Sequence, residues 1–278
     1  MTTPLVGPVE PPDLHVMTYN IRRRLDRRSL RASDRWTRRR PLVQALVRAE
    51  RPTLLGVQEA RPDQVVALRE ALGARYGAVG HGRDADGSGE GNPLFYDSTR
   101  LELVDWSQEA LSDEPGEAGS RSWGNLVPRA LVTATLRDRA TGATLFAINT
   151  HFDHLSGRSR VQSAQIIRRR VSEEHHPAIV MGDLNADERS PAVEELLRDG
   201  VLKDSWAEAS EHLTAEWGTF GNYREPRVGR KRIDWIAVTA QLEVRSAGIS
   251  PVRIDGAWPS DHLPVHAVVR LAGSDDAS

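Results

Sequence analysis

The chain contains no cysteine. Disulfides, thiolate metal centres and cysteine nucleophiles are therefore excluded. Lysine is almost absent as well: Lys203 and Lys231 are the only two, so nearly all positive charge is guanidinium. There is no run of eighteen apolar residues, which leaves no transmembrane helix in the pattern. The first dozen residues are polar and Pro-rich, without the apolar stretch of a secretory leader. The expectation is a cytoplasmic protein, and a monomer. A strong charge of either sign is also missing. The formal net charge is −2, so no global basic field gathers a polyanion.

What is present suits one large domain. The chain has 278 residues, 39% hydrophobic and 27% charged, enough to bury a core without staples. Residues 1–13 are expected to be a flexible N-terminus, 14–271 the domain and 272–278 a disordered tail. Positive charge is concentrated between Arg22 and Arg40, where ten arginines face only Asp26 and Asp34.

Hydrophobic periodicity and turn residues order the chain. Leu14 to Tyr19 reads as a first strand. A helix runs from near Trp36 to Glu50, with Pro41 tolerable only in its first turn. Thr53 to Gln58 is a buried strand, and Asp63 to Leu72 a helix closed by Gly73. Gly77 to Gly91 is glycine-rich and predicts a flexible surface loop. Leu94–Tyr96 and Leu101–Trp106 read as a hairpin, as do Arg129–Leu136 and Thr144–Asn149. Ser159 to Val171 is helical, and Ala178 to Met181 is a short strand. Ser190-Pro191 opens a helix, with Ser as N-cap and Glu194 in the first turn. Ile233–Val238, Leu242–Ile249 and Val265–Leu271 are the last strands. Interleaved strands and helices with antiparallel pairs predict an α/β sandwich, sheets inside and helices outside.

Polar cassettes stand at the ends of these apolar runs: Thr18-Tyr19-Asn20, Gly56-Val57-Gln58-Glu59, Asn149-Thr150-His151-Phe152-Asp153-His154, Met181-Gly182-Asp183-Leu184-Asn185, Arg232-Ile233-Asp234-Trp235-Ile236 and Ser260-Asp261-His262-Leu263. Asn20 and Glu59 offer oxygen ligands to a hard cation such as Mg²⁺ or Mn²⁺. Asp183 and Asn185, two apart on an extended segment, share a side. Asp holds or activates water, and Asn donates to a phosphate oxygen; an Asx-turn explains the same pair without chemistry. His151 lies beside Asp153 and His154, a cluster of titratable groups. Asp234 and His262 suit a carboxylate–imidazole dyad in which the acid sets the tautomer and raises basicity.

The ordered set, from about Leu14 to Leu271, resembles the endonuclease/exonuclease/phosphatase superfamily with its deoxyribonuclease I-like fold. The stretch His151–His154 with Arg160 and Ser163-Ala164 looks closest to a bacterial branch. The resemblance implies a four-layer α/β sandwich, two packed mixed sheets flanked by helices, with the site at one edge. It implies Asn20 and Glu59 as the principal metal site and Asp261 as an additional metal or water ligand. His151 would stabilise the phosphate, with Asn185 as its phosphate-binding neighbour. Asp183 would orient or deprotonate water, and Asp234 with His262 would form the dyad. Whether Asp183 or His262 is the base stays open. Arg22, Arg24, Asp153, His154 and Arg232 are candidate substrate-binding residues.

The chemistry implied is metal-assisted, in-line attack of water on a phosphate ester. A phosphodiester is favoured, because a monoester dianion needs extra cationic contacts for which the chain offers only the loop arginines. A nuclease, a phosphatase on a phosphoinositide or other small ester, and a catalytically dead binding module are the alternatives. Nucleic acid is not strongly indicated, since no basic insertion is present to grip a duplex.

Overall fold

Every residue of β1 (Leu14–Asn20) is buried in the computed structural model, which describes residues 3–25 and 31–271. Such a strand must be covered on both faces, and the period of two divides its side chains accordingly. Leu14 and Val16 face a second sheet, packing with Leu136, Ile179 and Met181. Met17 and Tyr19 face helices α1 (Trp36–Glu50) and α2 (Pro62–Leu72), meeting Val43, Leu46, Val47 and Leu68.

β2 (Leu54–Gln58) lies parallel to β1, with α1 as the crossover. β3 (Tyr76–Val79) and β4 (Leu94–Asp97) extend the sheet on one side. β5 (Leu101–Ala110), β6 (Ala130–Asp138) and β7 (Thr144–His151) begin the second sheet. Helix α3 (Gly157–Glu173) crosses to β8 (Ala178–Asp183), parallel to β7. Short α4 (Pro191–Leu196), β9 (Lys203–Asp204), α5 (Ser205–Glu208) and β10 (Glu211–His212) lead to β11 (Asp234–Val238), β12 (Leu242–Ile249) and β13 (Val265–Leu271). The seven-stranded sheet runs β10-β12-β13-β1-β2-β4-β3 and the six-stranded one β5-β6-β7-β8-β11-β9. Helices α3 and α4 cover the outer face of the second sheet through Ala164, Ile167, Val193 and Leu196. The four layers expected from the sequence are thus present.

Two local expectations are corrected. β4 and β5 are not a hairpin: β4 pairs with β2 and β3, whereas β5 pairs with β6. The chain changes sheets across residues 98–100, and ion pairs hold each side, Asp97 to Arg75 and Arg100 to Asp138. The glycine-rich stretch begins with strand β3 and continues as a folded turn. There Gly82 donates to the Gly87 carbonyl and Arg83 to that of Glu90. A Cβ on Gly82 would lie 1.9 Å from the Ser88 carbonyl oxygen. The glycines here permit close backbone approach.

The sheets meet closely at one end through β2, β7 and β8. A Cβ on Gly56 would lie 2.6 Å from Met181 Sδ and 2.8 Å from Asn149 Oδ1. In the space that glycine leaves, Asn149 Nδ2 donates to the Val57, Asn92 and Pro93 carbonyls, and its Oδ1 accepts from Gln58 Nε2 at 2.6 Å. A buried amide satisfied this fully ties the sheets in one register.

Ahead of β1, the backbone N–H groups of Leu5, Val6 and Gly7 donate to the Glu50 carboxylate, which holds these three residues against α1. The Gly7 carbonyl accepts from His15 Nδ1, so His15 Nε2 must accept from His266 Nδ1 at 2.9 Å. His266 Nε2 is then a bare, buried lone pair. Burial pushes both imidazoles down to about 3; the two rings' mutual repulsion adds to this at His15, and Glu50 opposes it. Among the described residues no helix is long and apolar enough to cross a membrane. The tail 272–278, with Arg27 and Arg28, lies outside the described residues.

The histidine pair makes stability fall with acid. The unfolded chain takes up protons as pH falls below about 6.5, while the folded one stays neutral until about pH 3. Each imidazole therefore removes up to about 1.4 kcal/mol of stability per pH unit inside that window. Denaturant unfolding between pH 7 and 4.5 should show this slope, and His266→Gln should flatten it. An unchanged slope in that variant would refute the assignment.

Candidate functional site

Parallel pairing explains why the polar cassettes meet. β1, β2, β7 and β8 point the same way in their sheets, so Asn20, Glu59, His151 and Asp183 all emerge at carboxyl ends. β11 and β13 run antiparallel to their neighbours, so their amino-terminal ends, with Asp234, Asp261 and His262, reach the same edge. His151, Asp183 and Asp234 stand side by side, Asp183 in register with both. A Cβ on Gly182 would lie 2.1 Å from the Thr150 carbonyl oxygen, and its φ is +152°. Only glycine fits the turn that delivers Asp183.

Asn20 is the hub. Its Nδ2 donates to Asp183 Oδ2 at 2.9 Å and Glu59 Oε1 at 3.1 Å, and its Oδ1 accepts the Arg22 backbone N–H. Burial pushes the Glu59 carboxyl up. The Arg23 backbone N–H, the Arg22 and His262 charges and the Asn20 amide outweigh that and leave it below its ordinary value. Asp261 lies 3.5 Å from Arg22 and is raised, mainly by burial. His262 Nδ1 is 2.8 Å from Asp234 Oδ2, and its Nε2 is 3.8 Å from Asp183 Oδ2. Burial alone would lower His262; the Asp234 and Asp183 charges reverse this and push it up to about 10. Burial and the Asp234 charge push Asp183 up to about 7.

Asn185 brings Nδ2 within 3.1 Å of both His151 Nε2 and the Phe152 carbonyl. Its backbone N–H donates to Asp183 Oδ1, so the Asx-turn and the site geometry coexist. Burial, then the charges of Arg129 and Arg83, hold His151 well below its usual range. A cleft of about 310 Å³ opens over these groups.

The candidate substrate residues divide. Arg22 and His154 line the cleft. Arg24 does not: it faces Asp63 at 3.6 Å and donates its backbone N–H to Gln64. Asp153 lies beneath the cleft, accepting the N–H groups of Leu155 and Ser156 and pairing with Arg129 at 3.3 Å. Arg232 is placed elsewhere. Asp204 of the neighbouring strand and Glu216 take its guanidinium, which stacks 3.7 Å over Trp235.

Sequence reasoning missed Arg83 and Arg129. Arg83 comes from the glycine-rich turn and pairs with Glu90 at 2.9 Å, as Arg23 does at 2.7 Å. Arg129 precedes β6, is 3% exposed, and brings Nη2 to His154 Nδ1 at 3.0 Å while its Nη1 has no hydrogen-bond partner. In a chain whose positive charge is nearly all arginine, no local signal separates these two from the rest.

The donor set fits a hard divalent cation at Glu59, Asn20 and Asp261. Arg22 already lies within 4 Å of both carboxylates, at 3.9 and 3.5 Å, so positive charge is favoured there. Ligand atoms of Asp183, Asp234 and His262 also lie within 4.8 Å of one another. That trio is the weaker candidate, because Asp234 engages His262 Nδ1 and the ring carries a proton.

The model of the endonuclease/exonuclease/phosphatase family matches residues 17–262. Among curated proteins nothing matches significantly. Among solved structures, a family protein from Bacteroides vulgatus is 32% identical with a TM-score of 0.86, over 93% of this chain and 99% of that one. Another from Bacteroides thetaiotaomicron is 28% identical with a TM-score of 0.87, over 95% and 99%. A mannosyl-6-phosphatase from the same organism is 28% identical with a TM-score of 0.85, over 92% and 99%. Fold, matched span and site order agree: the chain belongs to the endonuclease/exonuclease/phosphatase family, whose members are phosphoester hydrolases.

Proposed function

We propose that the protein is a divalent-metal-dependent hydrolase of small phosphate monoesters, with a sugar phosphate as the substrate type. The carrying observation is the arginine pair Arg83 and Arg129 facing the cleft beside His151. From the sequence a diester is favoured, because only the loop arginines are available there for a dianion. Arg83 and Arg129 are further forks of donors for it. The small cleft and the likeness to a mannosyl-6-phosphatase support the same reading.

Glu59, Asn20 and Asp261 would hold the cation, which when bound supplies positive charge to phosphoryl and leaving oxygens. Arg83, Arg129 and His154 bind the other phosphoryl oxygens as their negative charge rises. Asp183 and His262 Nε2, 3.8 Å apart, hold the attacking water between them. Asp234 fixes the His262 ring, so only Nε2 faces the water. Asn20 and Asn185 hold Asp183 by one oxygen each, which limits its rotation.

Hydrolysis should require Mg²⁺ or Mn²⁺, and Glu59→Gln should demand far more metal. Full activity of that variant at low micromolar Mg²⁺ would remove Glu59 from the metal site. Asp183→Ala and His262→Ala should each lose roughly 10²-fold or more in kcat. The double variant should lose much less than the product, because the two act on one water. Multiplicative losses would count against the shared water.

At matched metal and pH, p-nitrophenyl phosphate should be cleaved faster than bis-p-nitrophenyl phosphate. Arg129→Ala should raise KM for the monoester at least about tenfold, the scale of one charge-assisted contact. It should affect the diester less. Preference for the diester, unaltered in Arg129→Ala, would return the assignment to a phosphodiesterase.

A further inference from the structure

The loop between β10 and β11 contributes Phe220 to the cleft and lines a second cavity of about 430 Å³ that shares this ring. Backbone bonds fix this loop against the dyad. Thr219 Oγ1 accepts the N–H groups of Ile233 and Asp234, Leu263 donates to the Thr219 carbonyl, and Asn222 donates to that of Asp261. Gly218 donates to the Arg227 carbonyl, closing the loop on itself.

Phe220 divides the two spaces. It is 50% exposed, and its ring sits 5.0 Å from that of His262, tilted by 55°. Beyond it Asn222, Arg224, Glu225, Arg227 and Arg230 line the second cavity. Glu225 is neutralised by Arg253, and Asn222 Oδ1 accepts from Arg31. The guanidinium groups of Arg224, Arg227 and Arg230 donate no hydrogen bond to any described residue and form no ion pair with one. All three are exposed at the rim of one cavity, so their charge is available to an anion that enters it. The half-exposed ring offers a flat apolar face between this charge and the reacting centre.

We propose that this cavity binds the leaving group, and that the leaving group is a small molecule carrying a second phosphate. Its ring lies against Phe220, and Arg224, Arg227 and Arg230 hold the distal phosphate. The preferred substrate is then a bisphosphorylated compound, of which one phosphate is cleaved by water in the main cleft. This rests on that cleft being the phosphoryl site.

The test compares fructose 1,6-bisphosphate with fructose 6-phosphate, as initial phosphate release under Mg²⁺. The native protein should favour the bisphosphate by roughly tenfold or more in kcat/KM, carried by KM, as one or two charge-assisted contacts supply. In Arg227→Ser/Arg230→Ser the ratio should fall to about 1. A native ratio near 1, or a ratio that survives the double variant, overturns the proposal. Calorimetric binding of fructose 1,6-bisphosphate to native and variant protein separates the two readings. Failure to hydrolyse p-nitrophenyl phosphate and both sugars, with bisphosphate binding still weakened in the variant, sinks the monoesterase reading and keeps the cavity. Equal binding by native and variant protein sinks the cavity assignment alone.

Discussion

Repulsion among carboxylates governs this site. Glu59, Asp183, Asp234 and Asp261 converge at one sheet edge, and the three aspartates are at most 4% exposed. Like charges held together away from water need compensating positive charge or a proton. Each neighbouring feature answers that need. His262 is held protonated, Asp183 is raised towards neutrality, and Arg22 lies between Glu59 and Asp261. A divalent cation held by the same oxygens would answer it as well. Burial first, and then the charges of Arg129 and Arg83, keep His151 uncharged. The cleft is thus lined by both signs of charge, with Arg22 among the acids and Arg83 paired to Glu90.

Such a gathering of charge requires a rigid frame, and the two-sheet sandwich supplies one. The Gln58–Asn149 amide pair fixes the sheets relative to each other a residue or two behind Glu59 and His151. Gly56 leaves room for that pair, and Gly182 lets β8 pass the Thr150 carbonyl. Arg39 performs the same service on the loop side, donating to the Ile21, Arg22 and Arg23 carbonyls. Arg22 and Arg23 owe their place beside the acids to this buried guanidinium more than to local sequence.

Much of this was legible from residues alone. Apolar runs ending in Asn20, Glu59, His151 and Asp183 betray the strand ends because buried strands must stop where polar groups begin. The Asp234–His262 dyad was legible for the same reason. Arg232 misled because proximity to Asp234 in sequence says nothing about Asp204, the partner that a neighbouring strand supplies. The hairpin expected of Leu94–Tyr96 and Leu101–Trp106 failed because short spacing does not reveal a change of sheet. Arg83 was hidden in a glycine-rich turn whose order comes from backbone bonds that composition does not encode.

The layered α/β class, the family resemblance and the set of acids, amides and histidines are already written in the residues, because periodicity and strand-end residue types are local properties. Which arginines line the cleft and which serve the frame follows from the three-dimensional packing alone. The same packing sets Phe220 beside His262 and leaves three arginines around the second cavity without an ion-pair partner among the described residues. Those depend on long-range pairing, in which a guanidinium's role is set by whichever carboxylate the fold brings within reach.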